Sequence, residues 1–259
     1  MLLVVICAAF AKWIAPYSPN QMDMTASLSQ PSLSGHLFGT DNLGRDVLSR
    51  LIFGSQIALM VGLISTVIAT VIGVALGMTA GYFGRWINAV IMRITDALMS
   101  FPNVLLALLV AAVLGGGLRN VIVALSVASI PAFLRITNGL TLSIKQNEYV
   151  LAGRAMGGGN LRQMVTHILP NALAPIIVQM TLQLGNLILA EAGLSFLGVG
   201  IAPPTAAWGS MVNQGYVYLA TNPLISLAPG VAIMLVVFAF NMVGDGLRDA
   251  FDPKLRGKL

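Results

Sequence analysis

The stretch NEYVLAGRAMGGGNLRQMVTHILPN, residues 147–171, is a polar and basic island between long apolar runs. Residues 147–156 favour a helix and contain only Gly153 as a breaker. Gly157, Gly158 and Gly159 end that helix, because glycine enters the left-handed conformation without a Cβ clash. Asn160 is suited to cap a second helix, with Gln163 at the position where a capping box wants Glu or Gln. Pro170 lacks an N–H and disfavours helix in the residue before it, so the spacing predicts a stop there. The stretch therefore predicts a bent pair of short helices outside the apolar runs. A rigid, capped corner suits pressing on a partner. An ordinary loop between two membrane helices has the same signature.

The runs on either side settle the class. Of 259 residues, 57% are hydrophobic and 9% are charged, where a soluble domain has roughly 25% charged. Mean hydropathy is +0.86. The chain is an integral membrane protein, expected to be all-α. The net charge of +5 comes from scattered loop residues, which suits a membrane protein and not a nucleic-acid binder. Cys7 is the single cysteine, so no disulfide forms within the chain. Residues 1–11 are apolar with no basic residues before them and do not read as a secretory signal. With Trp13 and Ile14 the run is too short to span comfortably. Either the first helix is short and tilted, or the numbering begins inside a longer one.

Residues 16–53 are rich in Pro, Ser, Asn and Gln and form the first long polar segment. Its end reads as an amphipathic helix capped by Thr40 or Asp41, with Leu43, Val47, Leu48, Leu51 and Ile52 on one face. Residues 57–82 carry no charge and make the clearest span, with Gly73 and Gly77 at the spacing of close helix packing. The third span, 86–114, carries Arg93 and Asp96 three residues apart on one face. They are expected to pair, either as a structural element or as part of a pathway or gate. Pro102 is expected to bend that helix. The fourth span covers 121–143 with Pro131 inside and Arg135 towards its far end. The fifth covers 171–197 with Glu191 in its outer part, a further structural or gating candidate. Residues 198–222 form a loop or re-entrant segment that must pack on protein. The last span is 224–243, and 244–259 is a polar tail.

Charge orients these spans. Segments 16–53 and 198–222 and the GGG turn at 115–117 fall on one side with Lys12, Arg45, Arg50 and Arg119. The other side holds Arg85, Lys145, Arg154, Arg162, Arg248, Lys254, Arg256 and Lys258. The positive-inside bias puts the corner at 147–171 and the C-terminus in the cytoplasm.

Some chemistry is missing from the sequence. There is no G-x-x-x-x-G-K-[ST] phosphate loop. His36 and His167 are the only histidines and lie on opposite sides, so no histidine-based metal cluster is expected, and no catalytic residue is assigned.

The segment LAGRAMGGGNLRQMVTHILPN, 151–171, resembles the EAA loop of ABC importer permeases. Ala152, Gly157, Leu169 and Pro170 match that pattern. Leu151 stands where the family has its first Glu, Gly153 at the second Ala and His167 at the Ile. HLFGTDNLGRDVLSRLIFG (36–54), EAGLSFLGVGIAPPTAAWGSM (191–211) and FNMVGDGLRDAFDPKLR (240–256) are similar to the dipeptide/oligopeptide/nickel branch, in its C-type subunit. The first helix departs from the family in lacking a basic cytoplasmic leader.

The resemblance implies a single permease domain over 1–259, of about six transmembrane helices in the type I importer fold, in the bacterial inner membrane. It implies a second, B-type permease, two cytoplasmic ATPases and an external binding protein as partners, surrounded by lipid and with no nucleic acid. ATP and Mg would belong to the ATPases, and this chain would bind no cofactor. Leu151, Ala152, Gly153, Ala155, Met156, Gly157, Leu169 and Pro170 would couple to an ATPase. The cargo expected is dipeptides or oligopeptides. Nickel chelates, glutathione and opines are the alternatives within the family. A stand-alone secondary transporter is the alternative from another class, and it would need ionisable residues at mid-membrane.

Overall fold

The computed structural model describes residues 1–251, so the end of the expected tail, with Lys254, Arg256 and Lys258, lies outside the described residues. Every described regular element is helical, and a single isolated bridge pairs Thr40 with Asp46. The N-terminal run makes two short helices, α1 (Leu2–Ala9) and α2 (Ala11–Ile14). Then come α3 (Val47–Phe83), α4 (Arg85–Met99), α5 (Asn103–Leu114), α6 (Leu118–Ile144), α7 (Glu148–Ala155), α8 (Asn160–Arg162), α9 (Leu169–Phe196), α10 (Trp208–Gly215) and α11 (Leu224–Phe251). Among the described residues, four stretches are long and apolar enough to cross a membrane: α3, α6, the continuous run Asn160–Phe196, and α11. The α4–α5 pair makes a fifth if it is counted as one broken span.

Several boundaries differ from the sequence expectation, each for a local reason. No separate amphipathic helix forms over 40–52. Asp41 Oδ1 accepts from the backbone N–H of Leu43 and Arg45, at 2.9 and 3.0 Å, and holds a turn there. The helix cap is Asp46, whose Oδ2 accepts from Ser49 N–H at 2.7 Å, so α3 starts at Val47 and runs straight into the span. The third span breaks at 100–102, and the two halves stand at 90° to each other. Pro102 cannot donate and pushes Phe101 out of helical geometry, which explains a break where a mild bend was expected.

The chain divides into two compact units. The first comprises Met1–Ser65, Ala107–Leu125 and Leu184–Asn241. It gathers the polar segment before α3, the GGG turn and the 198–222 segment, the three that the crossing pattern assigns to one side. Gly117 N–H donates to Gly200 O at 3.0 Å, and Asn222 Nδ2 to Leu28 O at 2.8 Å. Trp208, at the start of α10, donates its indole N–H to Leu51 O at 2.9 Å and is buried among Val47, Ala58, Ile188 and Met211.

The second unit comprises Thr66–Leu106, Ser126–Gln183 and Met242–Leu259. Here α3 lies against α6 along three glycines. A Cβ at Gly73, Gly77 or Gly81 would meet Ile130 and Phe133, Leu134 and Thr137, or Asn138 and Thr141 respectively. The pair expected from sequence at 73 and 77 is therefore a stripe of three, and it lets the two backbones touch.

Candidate functional site

The corner at 147–171 is built at one end of the second unit. Asn147 is extended (φ −68°, ψ 143°), and its carbonyl opens α7 by accepting from Val150 and Leu151 N–H. Glu148 in the first turn and Arg154 in the last complement the helix dipole. The C-terminus closes as a Schellman motif. Gly157 N–H bonds Arg154 O at 3.0 Å, and Gly158 N–H bonds Gly153 O at 3.1 Å. Gly157 has φ +83°, the left-handed value the sequence requires there.

The second half of the corner is not a separate short helix. Its N-cap is Gly159, so Asn160 is the first helical residue and Gln163 lies beyond capping-box reach. Asn160 instead accepts from the Tyr82 hydroxyl at 3.0 Å, on the last turn of α3. Gln163 is buried, and a Cβ on Gly153 would meet its Nε2 at 2.9 Å. Pro170 does not stop the helix either. Gln163–Ile168 widens into a π-helical turn, which admits the proline ring, and the chain continues to Phe196. Side chains take up carbonyls near the proline: Asn171 Nδ2 bonds His167 O at 2.7 Å, and Thr166 Oγ1 bonds Arg162 O at 2.6 Å.

The corner stands on a small apolar core of Met78, Ile144, Val150, Met164, Ile168, Ala172 and Ile176. Full burial of such a side chain stabilises by about 1.5–3 kcal/mol, so this core outweighs any single cap. Lys145 Nζ adds a bond to Gly81 O at 2.6 Å. With Tyr82, Gln146, Val150, Leu151, Arg154 and Gln163 it lines a cavity of about 310 Å³.

The residues predicted to couple fall into two groups. Leu151, Ala152, Ala155 and Met156 are exposed, Met156 by 84%. Gly153 is buried, Gly157 makes the turn, and Leu169 packs against the core while Pro170 is exposed. The supports Lys145, Tyr82 and Gln163 have no signature in the linear sequence, because their partners are carbonyls, an amide and glycine backbone 5–78 residues away.

The expected Arg93–Asp96 pair is not formed. Asp96 instead makes its ion pair with Arg135 of α6, with both side chains about half exposed (51% and 53%). A facing helix offered a cation at better reach than the next turn of the same helix. Beside them Asn138 Nδ2 donates to Asn88 Oδ1 at 2.9 Å, again between α6 and α4. Glu191 is 1% exposed in the first unit and accepts from Ser195 Oγ at 2.7 Å, which in turn accepts from Ile201 N–H at 2.9 Å. Glu191 thus braces the segment after α9.

One cluster escaped the sequence reading. Arg45 Nε donates to Asp41 Oδ2 at 2.7 Å, Arg50 Nε lies 3.7 Å from the same oxygen, and both arginines are buried. Arg45 Nη2 reaches Gln214 Oε1 at 3.1 Å, while Arg50 Nη1 reaches Pro19 O at 3.0 Å and Pro204 O at 3.4 Å. Nearby, His36 Nδ1 is 2.9 Å from Asp46 Oδ1. This cluster ties the segment before α3 to the segment around α10.

Comparison with known proteins agrees with this architecture. Residues 73–257 match the family described as binding-protein-dependent transport system inner membrane component. The chain is 45% identical over 258 residues to the glutathione transport system permease protein GsiD of Escherichia coli O6:K15:H31 (strain 536 / UPEC), covering 99% of this chain and 85% of that protein. GsiD of Shigella boydii serotype 4 (strain Sb227) is likewise 45% identical over 258 residues. Among solved structures, a chain of the MetNI methionine ABC transporter in an inward-facing crystal form superposes with a TM-score of 0.64 at 23% identity. That match covers 79% of this chain and 98% of the other, and it establishes the type I importer permease fold. The chain belongs to the binding-protein-dependent transport system inner membrane components, and it is a permease subunit of an ABC importer.

Proposed function

We propose that this permease carries short peptides with free carboxylates and couples to an ATPase through the corner at 147–171. The observation that carries the coupling is the corner's construction. Its inner face is fastened to α3 by Lys145, Tyr82 and the core, while Leu151, Ala152, Ala155 and Met156 are left uncovered on its outer face. An eight-residue helix is about 12 Å long, a fair match to a helix-in-groove contact. Two cytoplasmic ATPases, a sister permease and an external binding protein complete the assembly. The corner and the C-terminus face the cytoplasm. This chain hydrolyses nothing, and ATP and Mg stay on the partners.

The relatives' names bring glutathione to the head of the cargo candidates. It is itself a short peptide with two carboxylates, so it lies within the peptide reading. The test is uptake of labelled glutathione and of a dipeptide by proteoliposomes holding the whole complex and its binding protein. ATP-dependent uptake of either supports the reading. Uptake by this chain without ATPases overturns it, and so does failure of ATPases to co-purify.

A further inference from the structure

The exposed charges on α4 and α6 lie well in from the ends of their helices. Asp96 is eleven residues beyond Arg85, the first residue of α4, or about 17 Å along the axis. Arg135 is nine residues before Ile144, the last residue of α6, or about 14 Å. Those two helix ends lie together, since Lys145 bonds Gly81 and Tyr82 bonds Asn160. A hydrocarbon core is about 30 Å thick, and α6, with 27 residues, is about 40 Å long, so with α6 centred across the bilayer Arg135 lies about 9 Å inside the core.

At that depth the surroundings are unusual. Asp96 and Arg135 are half exposed, and Arg93 is exposed with no carboxylate within 4 Å among the described residues. The helix breaks immediately afterwards, at 100–102, where Ser100, Phe101 and Pro102 are exposed. Charges do not face lipid; they face protein or water. Two cations and one anion leave a surplus positive charge. A dry protein contact would have to neutralise Arg93, whereas water need not.

Resting on the importer reading above, we propose that Arg93, Asp96 and Arg135 form a carboxylate-reading station on the wall of a water-filled path. The free guanidinium of Arg93 takes the cargo carboxylate first. Arg135 can add a second fork of donors by loosening from Asp96, which otherwise holds it in place. The ligand class is a small peptide or amino-acid derivative with an ionised carboxylate.

The test uses the whole complex, cysteine-free except for Ser100→Cys, with Cys7→Ser in this chain. The thiol is reacted with an anionic reagent, sulfonatoethyl methanethiosulfonate, and a cationic one, trimethylammonioethyl methanethiosulfonate. Rates are divided by those on a free thiol. The expected preference for the anion is about fourfold, from attraction of one and repulsion of the other by a unit charge about 10 Å away in water, two helical turns separating Arg93 from position 100. It should fall to near unity in Arg93→Gln and rise in Asp96→Asn. A tripeptide with a free C-terminal carboxylate should slow labelling more than its C-terminal amide does. Absence of labelling, with Ser34→Cys labelling normally, would show a dry site and overturn the proposal. So would equal rates for the two reagents, or equal protection by acid and amide. Wild-type uptake is measured on the same preparation. Its absence would overturn the importer reading separately, whatever the labelling shows.

Discussion

Lys145 donates its ammonium to the carbonyl of Gly81 across 2.6 Å, fastening the approach to α7 onto the end of α3. A bond to a charged group contributes about 1.5–3 kcal/mol. Lys145→Met keeps the apolar stem and removes the donor. Amide hydrogen exchange over 148–155 should speed up by about tenfold or more, while insertion is unchanged. Unaltered exchange there would show that the core alone holds the corner.

Gly157 is left-handed at φ +83°, and a Cβ would touch nothing around it. Only backbone strain is at stake, so Gly157→Val should cost about 1–2 kcal/mol locally, and Gly157→Asn less. Cargo-stimulated ATP hydrolysis by the complex should fall in the order Gly, Asn, Val. Full activity with Val, combined with Ala152→Glu on the exposed face, would reduce the corner to a connection between two spans.

The Asp96–Arg135 ion pair is testable by a double-mutant cycle on the melting of the purified complex. Asp96→Asn and Arg135→Gln should couple by about 0.2–1 kcal/mol, the range for pairs exposed to solvent. Asp96→Asn and Arg93→Gln should be additive. Coupling of the second pair and not the first would restore the same-helix pairing.

Asp41 serves two buried guanidiniums. Removing one partner of a buried pair costs about 3–5 kcal/mol, so Asp41→Asn should sharply lower the yield and melting temperature of the folded chain. Asn222→Ala, which loses two neutral bonds, one to Leu28 O and one from Gln30 Nε2, should cost about 1–2 kcal/mol. If the two variants melt alike, the arginine cluster is not what holds that segment.

Orientation is read with impermeant thiol reagents on intact cells. Ser34→Cys should label from outside. Ala250→Cys, on the exposed end of α11, should label only after the membrane is opened. Labelling of both from one side would contradict the positive-inside assignment.

Much of this was legible in the residues. The apolar runs placed α3, α6, α9 and α11, because a bilayer asks for long uncharged stretches and a sequence states them openly. Gly157 and the start of α7 followed from rules that act within a few residues. The errors came where the deciding partner is distant in sequence. Asn160 looked like a cap until Tyr82, 78 residues away, is placed beside it. Asp96 looked paired with Arg93 until α6 brings Arg135 across. Pro170 looked like a stop because the π-helical turn before it has no marker in composition. In the Asp41, Arg45 and Arg50 cluster, Asp41 was read as a cap and the two arginines as charges of one side, since spacing does not reveal which charges are buried.

The glycine stripe on α3 also sets an order of events during synthesis. The atoms that a Cβ on Gly73, Gly77 or Gly81 would meet first all belong to α6, which begins at Leu118. A nascent chain halted before that point holds a helix whose flattest side has nothing to rest on but lipid. Such an intermediate invites mispairing with any other small-residue helix nearby. Closure of the stripe is therefore a post-insertion step, and a bulky residue at Gly77 would surface first as a defect of biogenesis rather than of transport.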